Sequence, residues 1–266
     1  MTKIRRYTIP SAAALVVAAG LGFATAPAQA ALVTYTGCGA GATFCTLQQL
    51  VDGGSITVDE NGDGIADKEF INWMAMPFSP GSSGLADPKN NIQVSATGTY
   101  IPGVSGSATL NYTVVNNALN VAPTGNATWA VSLDFGFDVK SAEFLPIIEQ
   151  KDALTGGSVL GPATGTASKI ALNGAELTSG GVLNSIPPLS PVTNTDNSPA
   201  TPVNLHSVMN NLSLSARRTN TVLGTANITS FSQTFNQVVI PEPGTVVGLL
   251  AVGGLGLAMK RRQKDN

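Results

Sequence analysis

The chain has 266 residues, 43% hydrophobic, 6% aromatic and only 11% charged, with 29 glycines, 16 prolines and a formal net charge of −2. So little charge excludes a disordered acidic segment and a basic nucleic-acid binder, both of which need far more. Scarce aromatics and abundant small polar residues argue against a helical bundle, and an all-β body is the expectation.

The charge is segregated along the chain. Residues 1–30 carry Lys3, Arg5 and Arg6 and no acid; residues 244–266 carry Lys260, Arg261, Arg262 and Lys264 against Asp265; residues 31–243 hold 7 basic and 15 acidic side chains. The total is thus the sum of two ends of +3 and a body of −8. At the N-terminus the basic stretch precedes an apolar run from Ser11 to Phe23 and a small-x-small site, Ala28-Gln29-Ala30. This is the pattern of a secretory signal peptide, whose short apolar helix enters the translocon while the arginines stay in the cytoplasm, with cleavage by signal peptidase before Ala31.

Export places Cys38 and Cys45 in an oxidising compartment, and the glycines between them allow the chain to turn back, so a disulfide is expected. The rival, a thiol nucleophile or metal site, lacks a CxxC spacing, and the sole histidine, His206, is distant. A short helix is expected at Thr46 to Val51. Strands are expected near Leu32 to Thr36, Ser55 to Val58, Glu69 to Met76, Asn91 to Thr97, Ala108 to Val115, Thr128 to Val139 and Ile228 to Val239; in Ala108 to Val114 and Trp129 to Phe137 the large apolar residues recur at every second position. Turn chemistry separates them at Pro80 to Gly84, Pro123 to Asn126 and Thr155 to Gly157, and the stretch from Ile186 to Pro202, with five prolines, reads as a long extended loop. The expected fold is mainly β: a single β-sandwich of jelly-roll or immunoglobulin-like topology, with a signal helix before it and a transmembrane helix after it.

Between the second and third strands lies an acidic turn, Asp59-Glu60-Asn61-Gly62-Asp63-Gly64-Ile65-Ala66-Asp67. Oxygen side chains at positions 1, 3, 5 and 9, with Gly64 at position 6 and the main chain of Ile65 at position 7, match the start of an EF-hand-type calcium loop. Asp59, Asn61, Asp63, Ile65 and Asp67 are therefore candidate ligands for weak calcium, roughly in the 10⁻⁴ to 10⁻³ M range. Position 12 is Phe70 instead of the bidentate glutamate, so Glu69 or Glu60 would have to replace it. The other reading is a solvated turn of a composition that turns favour in any case.

The C-terminal end reads Val239-Ile240-Pro241-Glu242-Pro243-Gly244-Thr245, then Val246 to Met259 without a charge, then Lys260-Arg261-Arg262-Gln263-Lys264. The apolar stretch is short for a bilayer, although flanking basic side chains extend its reach. Basic residues after it place the terminus in the cytoplasm and the body outside. This end resembles the PEP-CTERM sorting signal of Gram-negative bacteria, also known as the ice-binding protein C-terminal domain: the motif Pro241, Glu242, Pro243, a short transmembrane helix, and the basic stop cluster Lys260, Arg261, Arg262 and Lys264. The resemblance implies recognition by exosortase, a membrane-embedded transpeptidase that removes the tail near the motif and passes the body to the cell surface or exopolysaccharide matrix. The layout is then a signal peptide at 1–30, an exported β domain at 31–240 and a sorting signal at 241–266. A second resemblance, carried by Cys45-Thr46-Leu47-Gln48-Gln49-Leu50, Gly54 to Val58 and Lys68 to Trp73, is to the N-terminal part of a common kind of PEP-CTERM exoprotein. Here its tight Gly-Asp turn is replaced by the longer acidic one.

Catalytic constellations are hard to assemble. His206 reads as a surface or loop residue, Glu143 and Glu149 as solvent-facing acids rather than a glycosidase pair, and Asp134-Phe135-Gly136 as strand rather than a kinase tripeptide. Arg217-Arg218 is too small a patch for nucleic acid. Two functional classes follow: a non-catalytic surface or biofilm-matrix protein associated with exopolysaccharide, or an exported carbohydrate-active hydrolase or glycan-binding protein on the same scaffold.

Overall fold

The computed structural model describes residues 29–80, 85–101, 104–142, 145–160, 167–172, 175–179, 192–194, 199, 201–220 and 223–238. In chain order the elements are β1 (Gln29–Ala30), β2 (Leu32–Thr36), β3 (Cys45–Thr46), α1 (Leu47–Val51), β4 (Ser55–Asp59), β5 (Lys68–Ala75), a 3-10 turn at Pro88–Asn91, β6 (Ile92–Ile101) and β7 (Ser105–Val114). There follow β8 (Asn120–Val121), β9 (Ala127–Ser141), β10 (Ile147–Leu160), β11 (Ala167–Leu172), β12 (Ala175–Ser179), β13 (Val192–Asn194), β14 (Leu205–Arg218) and β15 (Thr225–Val238). All seven strands expected from alternation are present, with ends shifted by a few residues. The single turn of α1 is also present, opened by a capping box in which Thr46 and Gln49 satisfy each other's backbone amides.

The strands form two antiparallel sheets. One runs β1-β6-β7-β15-β10-β13, with β3 added to β6 and β8 to β15; the other runs β12-β11-β14-β9-β5-β4-β2. Their inward faces share one core. Phe70 of β5 and Phe137 of β9 approach Phe235 of β15 at ring distances of 5.5 and 6.1 Å across the layers. Tyr112 of β7 stacks on its cross-strand neighbour Phe231 at 4.2 Å, and Phe135 of β9 closes on both from the facing sheet. Such aromatic pairs contribute about 0.5–1.5 kcal/mol each beyond the area they bury.

A bulge between Ile71 and Met74 places Asn72 at φ 53° and changes the inward set of β5. Without the extra residue, Trp73 would follow Phe70 on the solvent face; with it, Trp73 turns inward and stacks on Phe137 at 4.3 Å.

Several expectations need correction. Thr155 to Gly157 is not a turn: it lies inside β10, where the register with β15 shifts on either side of Gly156. The long β10 and β14 were not expected as strands, and β13 interrupts the segment read as a loop from Ile186 to Pro202. The signal helix and the C-terminal transmembrane helix fall outside the described residues; among those described, no helix is long and apolar enough to cross a membrane.

Candidate functional site

The acidic turn joins β4 to β5 at one end of the two sheets. Asp59 is almost buried and spends both carboxylate oxygens on backbone amides: Gly62 donates to one at 2.6 Å and Gly64 to the other at 2.7 Å. Asn61 and Asp63 form successive side-chain turns, accepting from the amides of Asp63 and Ile65 at 2.8 Å each. Asp67, also buried, accepts from the amides of Glu60 at 2.7 Å and Asn61 at 3.3 Å. Burial raises the Asp67 pKa, and the two amides hold it back.

These hydrogen bonds make the side-chain-capped turn that is the other reading of this loop. The loop carboxylates hold the backbone of their own turn, and the Ile65 side chain is exposed. Phe70, at position 12, is in the core. Both replacements the sequence offered are committed elsewhere, Glu69 to Lys140 at 3.2 Å and Glu60 to Lys68. Among the described residues no group of three or more His, Cys, Asp or Glu side chains is arranged to hold a metal ion.

The Glu60–Lys68 pair was not expected. Both side chains are fully buried, and Glu60 takes a second hydrogen bond, 2.9 Å, from Gln237 Nε2 of the facing sheet. Gly106, in β7 of that sheet, makes room: a methyl group at its Cβ position would fall on the Glu60 carboxylate and crowd Gln237. Burial raises the Glu60 pKa from 4.5 to about 7, against the pull of Lys68, and lowers that of Lys68, against the pull of Glu60. The folded state therefore holds a proton on Glu60 that the unfolded chain has released between pH 4.5 and about 7. By linkage, this group makes stability fall as pH rises through that window, by a few kcal/mol at most. Asp67 and His206 contribute to the profiles of both proteins, so the quantity to read in denaturant titrations is the stability of the natural chain minus that of E60Q/K68M, which is expected to decline as pH rises through the window. A flat difference would contradict the assignment.

A second buried polar cluster lies between β7, β10, β14 and β15. Gln233 donates to Asp152 and Asn210 at 3.2 Å each, Tyr112 OH donates to Gln233 at 3.0 Å, and Gln150 donates to both oxygens of Asp152 at 3.0 and 3.1 Å. His206 reaches this network: its Nε2 is 2.8 Å from Gln150 Oε1, and burial lowers its pKa. It is a half-buried strand residue, not the surface or loop residue that was expected. Glu149 is held by Asn236 at 2.6 Å and Lys151 at 3.0 Å, and these hydrogen bonds lower its pKa, the opposite of what a general acid requires. Glu143 lies outside the described residues. An open depression of about 520 Å³ lies at the far end between residues 126–128 and 217–220, with Arg217 and Arg218 in its wall.

Cys38 and Cys45 form the expected disulfide, with Cα atoms 5.1 Å apart; it pins the loop before α1 to β6 through β3. So short a closed loop contributes about 2 kcal/mol at most. C38S/C45S is therefore expected to stay folded, with a thermal midpoint lower by roughly 2–8 °C in calorimetry.

The sorting motif Pro241, Glu242, Pro243 and the cluster Lys260, Arg261, Arg262, Lys264 lie outside the described residues, directly after β15 ends at Val238. The features together define a class, an exported β protein with a C-terminal sorting signal. Residues 239–262 match the family described as the PEP-CTERM protein-sorting motif, so the chain is a PEP-CTERM sorting domain-containing protein, exported and sorted by exosortase to the cell surface. No curated protein matches it. Among solved structures, a GH31 α-xylosidase from Xanthomonas citri aligns over 79% of this chain at 7% identity and a TM-score of 0.16, and the chain spans 28% of that enzyme. So low a score carries no argument about fold or activity.

Proposed function

We propose that the chain is a non-catalytic surface or extracellular-matrix protein, its body a β-sandwich. Signal peptidase releases the N-terminus at Ala31. The apolar run from Val246 to Met259 holds the chain transiently in the inner membrane, with Lys260 to Lys264 in the cytoplasm. Exosortase cuts near Pro241 to Pro243, and the body of roughly 210 residues, with net charge −8, passes to the exopolysaccharide of the biofilm.

The observation that carries this reading is the sorting motif, which follows the last core strand without an intervening domain. The outward faces of the sheets support a matrix role. They carry cross-strand hydroxyl, amide and carboxylate pairs: Asn211 with Asp134, Ser207 with Asp138 at 2.6 Å, Thr109 with Thr234 at 2.8 Å and Thr155 with Ser230 at 2.9 Å. These groups exchange hydrogen bonds with sugar hydroxyls without needing ion pairs. The test is intact-mass analysis of the protein extracted from the cell surface. A species beginning at Ala31 and ending near Pro243 is the expected result, and a surface form that retains Lys260 to Asn266 would refute the processing.

A further inference from the structure

The chain enters and leaves the body at one end. β15 finishes at Val238, opposite Ser105, beside the β6–β7 turn in which Val104 donates its amide to Ile101 at 3.0 Å. β10 starts at Ile147, opposite Gln237. In the other sheet β2 starts at Leu32 opposite Asp59, β5 at Lys68 opposite Ser141, and β14 at Leu205 opposite Lys140. Glu60, bonded to Lys68 and to Gln237, joins the two sheets here.

The outer rim of this end carries exposed apolar side chains beside the exposed Lys140–Glu69 pair. Leu32, Ile65, Ile101, Val104 and Leu205 are each more than half exposed, and Val238 is exposed beside them. They come from six separate strand ends and loops, so no single segment's composition accounts for them. Apolar side chains exposed together around one end of a domain offer it a contact surface. The charge here is small. Asp59 and Asp67 face backbone amides, Glu60 is paired with Lys68 and Glu69 with Lys140, which leaves Asp63 as the exposed loop carboxylate among the described residues. The far end is different, with Arg217 and Arg218 around the open depression and Leu223 as an isolated exposed apolar residue.

We infer that this rim is a lipid-contacting surface, which seats the body on a zwitterionic bilayer while the tail remains uncut. The inference rests on the membrane anchoring proposed above. Eight residue steps separate Val238 from Val246, where the apolar run begins, so the two are at most about 28 Å apart. The headgroup layer takes up roughly 7 Å of that distance. A tether this short keeps the rim at an effective concentration in the millimolar range beside the lipid, where weak apolar contacts are enough to hold it. Seating fixes the Pro241 to Pro243 segment between body and bilayer, within reach of a membrane-embedded peptidase. Once the tail is cut the tether is lost, and the same weak contacts release the body.

The test uses the full chain reconstituted into phosphatidylethanolamine and phosphatidylcholine vesicles, with and without bromine on the phosphatidylcholine acyl chains. Vesicle flotation reads the anchoring, and tryptophan quenching, after subtraction of the signal from the unsubstituted chain, reads the seating. Val104→Trp is expected to lose about half its emission to brominated lipid while Leu223→Trp, at the far end, is unaffected. Ile65→Trp gives a second position on the rim in case Val104→Trp fails to fold. A chain that does not float overturns the anchoring and the seating together. A chain that floats with both rim positions unquenched overturns the seating alone, as does equal quenching at both ends. Adding phosphatidylglycerol is expected to leave the quenching unchanged, and a marked rise would overturn the assignment to a zwitterionic surface.

Discussion

Lys68→Met is expected to lower the unfolding free energy at neutral pH by roughly 3–5 kcal/mol, the cost of leaving one member of a buried ion pair without its partner. For a body of this size that corresponds to a fall of roughly 6–20 °C in thermal midpoint. Lys68 opens β5, paired with Val58 on one side and Ser141 on the other, and its ammonium is fully buried against Glu60. Methionine matches the stem of the side chain but not the charge, so Glu60 would retain the single hydrogen bond from Gln237. The site cannot swell to admit solvent cheaply, since β7 lies against the carboxylate at Gly106. Glu60, already raised to about 7 by burial, then takes up a proton more readily still, and the penalty shrinks as the pH falls toward 4.5. The double variant E60Q/K68M removes both charges and keeps the volume, and it is expected to recover most of the loss. Urea titrations of the three proteins at pH 7.5 and pH 5 read all of this. A single variant as stable as the natural chain, or a double variant worse than the single, would refute the account.

Much of the fold was legible because its strands follow one rule. Where the inward residues are uniformly apolar, as in Ala108, Leu110, Tyr112 and Val114, the period of two marks the strand. Of the two long strands that were missed, β10 and β14, one is obscured by buried polar groups. β10 turns Gln150 and Asp152 inward, which weakens its hydropathy signal, whereas β14 buries Val208, Leu212, Leu214 and Ala216 around the single polar Asn210 and does carry the period of two. Gly156 and Gly157 read as a turn because a bulge and a turn draw on the same residue. The acidic loop was half legible: its Asp, Asn and Gly content announces side-chain-capped turns, which it forms, and equally announces calcium ligands. The two carboxylates offered to complete a calcium site, Glu60 and Glu69, have other partners in the fold. That depends on Lys140, and on Gln237 from a strand 177 residues away, which no local spacing reveals. The disulfide needed only a short spacing and an oxidising compartment. The apolar rim was not legible, because its members come from separate segments that become neighbours only when the strand ends align.

Replacing Pro241, Glu242 and Pro243 together by alanine is expected to abolish tail removal while leaving the body folded. The triplet begins three residues beyond Val238, the last residue of β15. Neither proline has an N–H to give to a strand ladder or a helix, so the triplet cannot simply extend β15 or join the apolar run as regular structure. Alanine removes both obstacles and the single carboxylate between them. A peptidase that reads this motif then loses the restraint and the charge together, and the chain keeps Lys260 to Asn266. The effect should be close to all-or-none in intact mass. The released species ending near Pro243 disappears, and the protein moves from the surface extract to the membrane fraction. Retaining the basic tail also makes the product less acidic than the −8 body, by the four cationic side chains set against Asp265 and by the loss of the Glu242 carboxylate, so anion exchange separates the two forms independently of mass. The body's own stability should not change, because the substituted residues lie beyond its last ladder pair, Val238 with Ser105. A triple variant that still yields the shortened species would show that the tail is cut by a rule other than this motif.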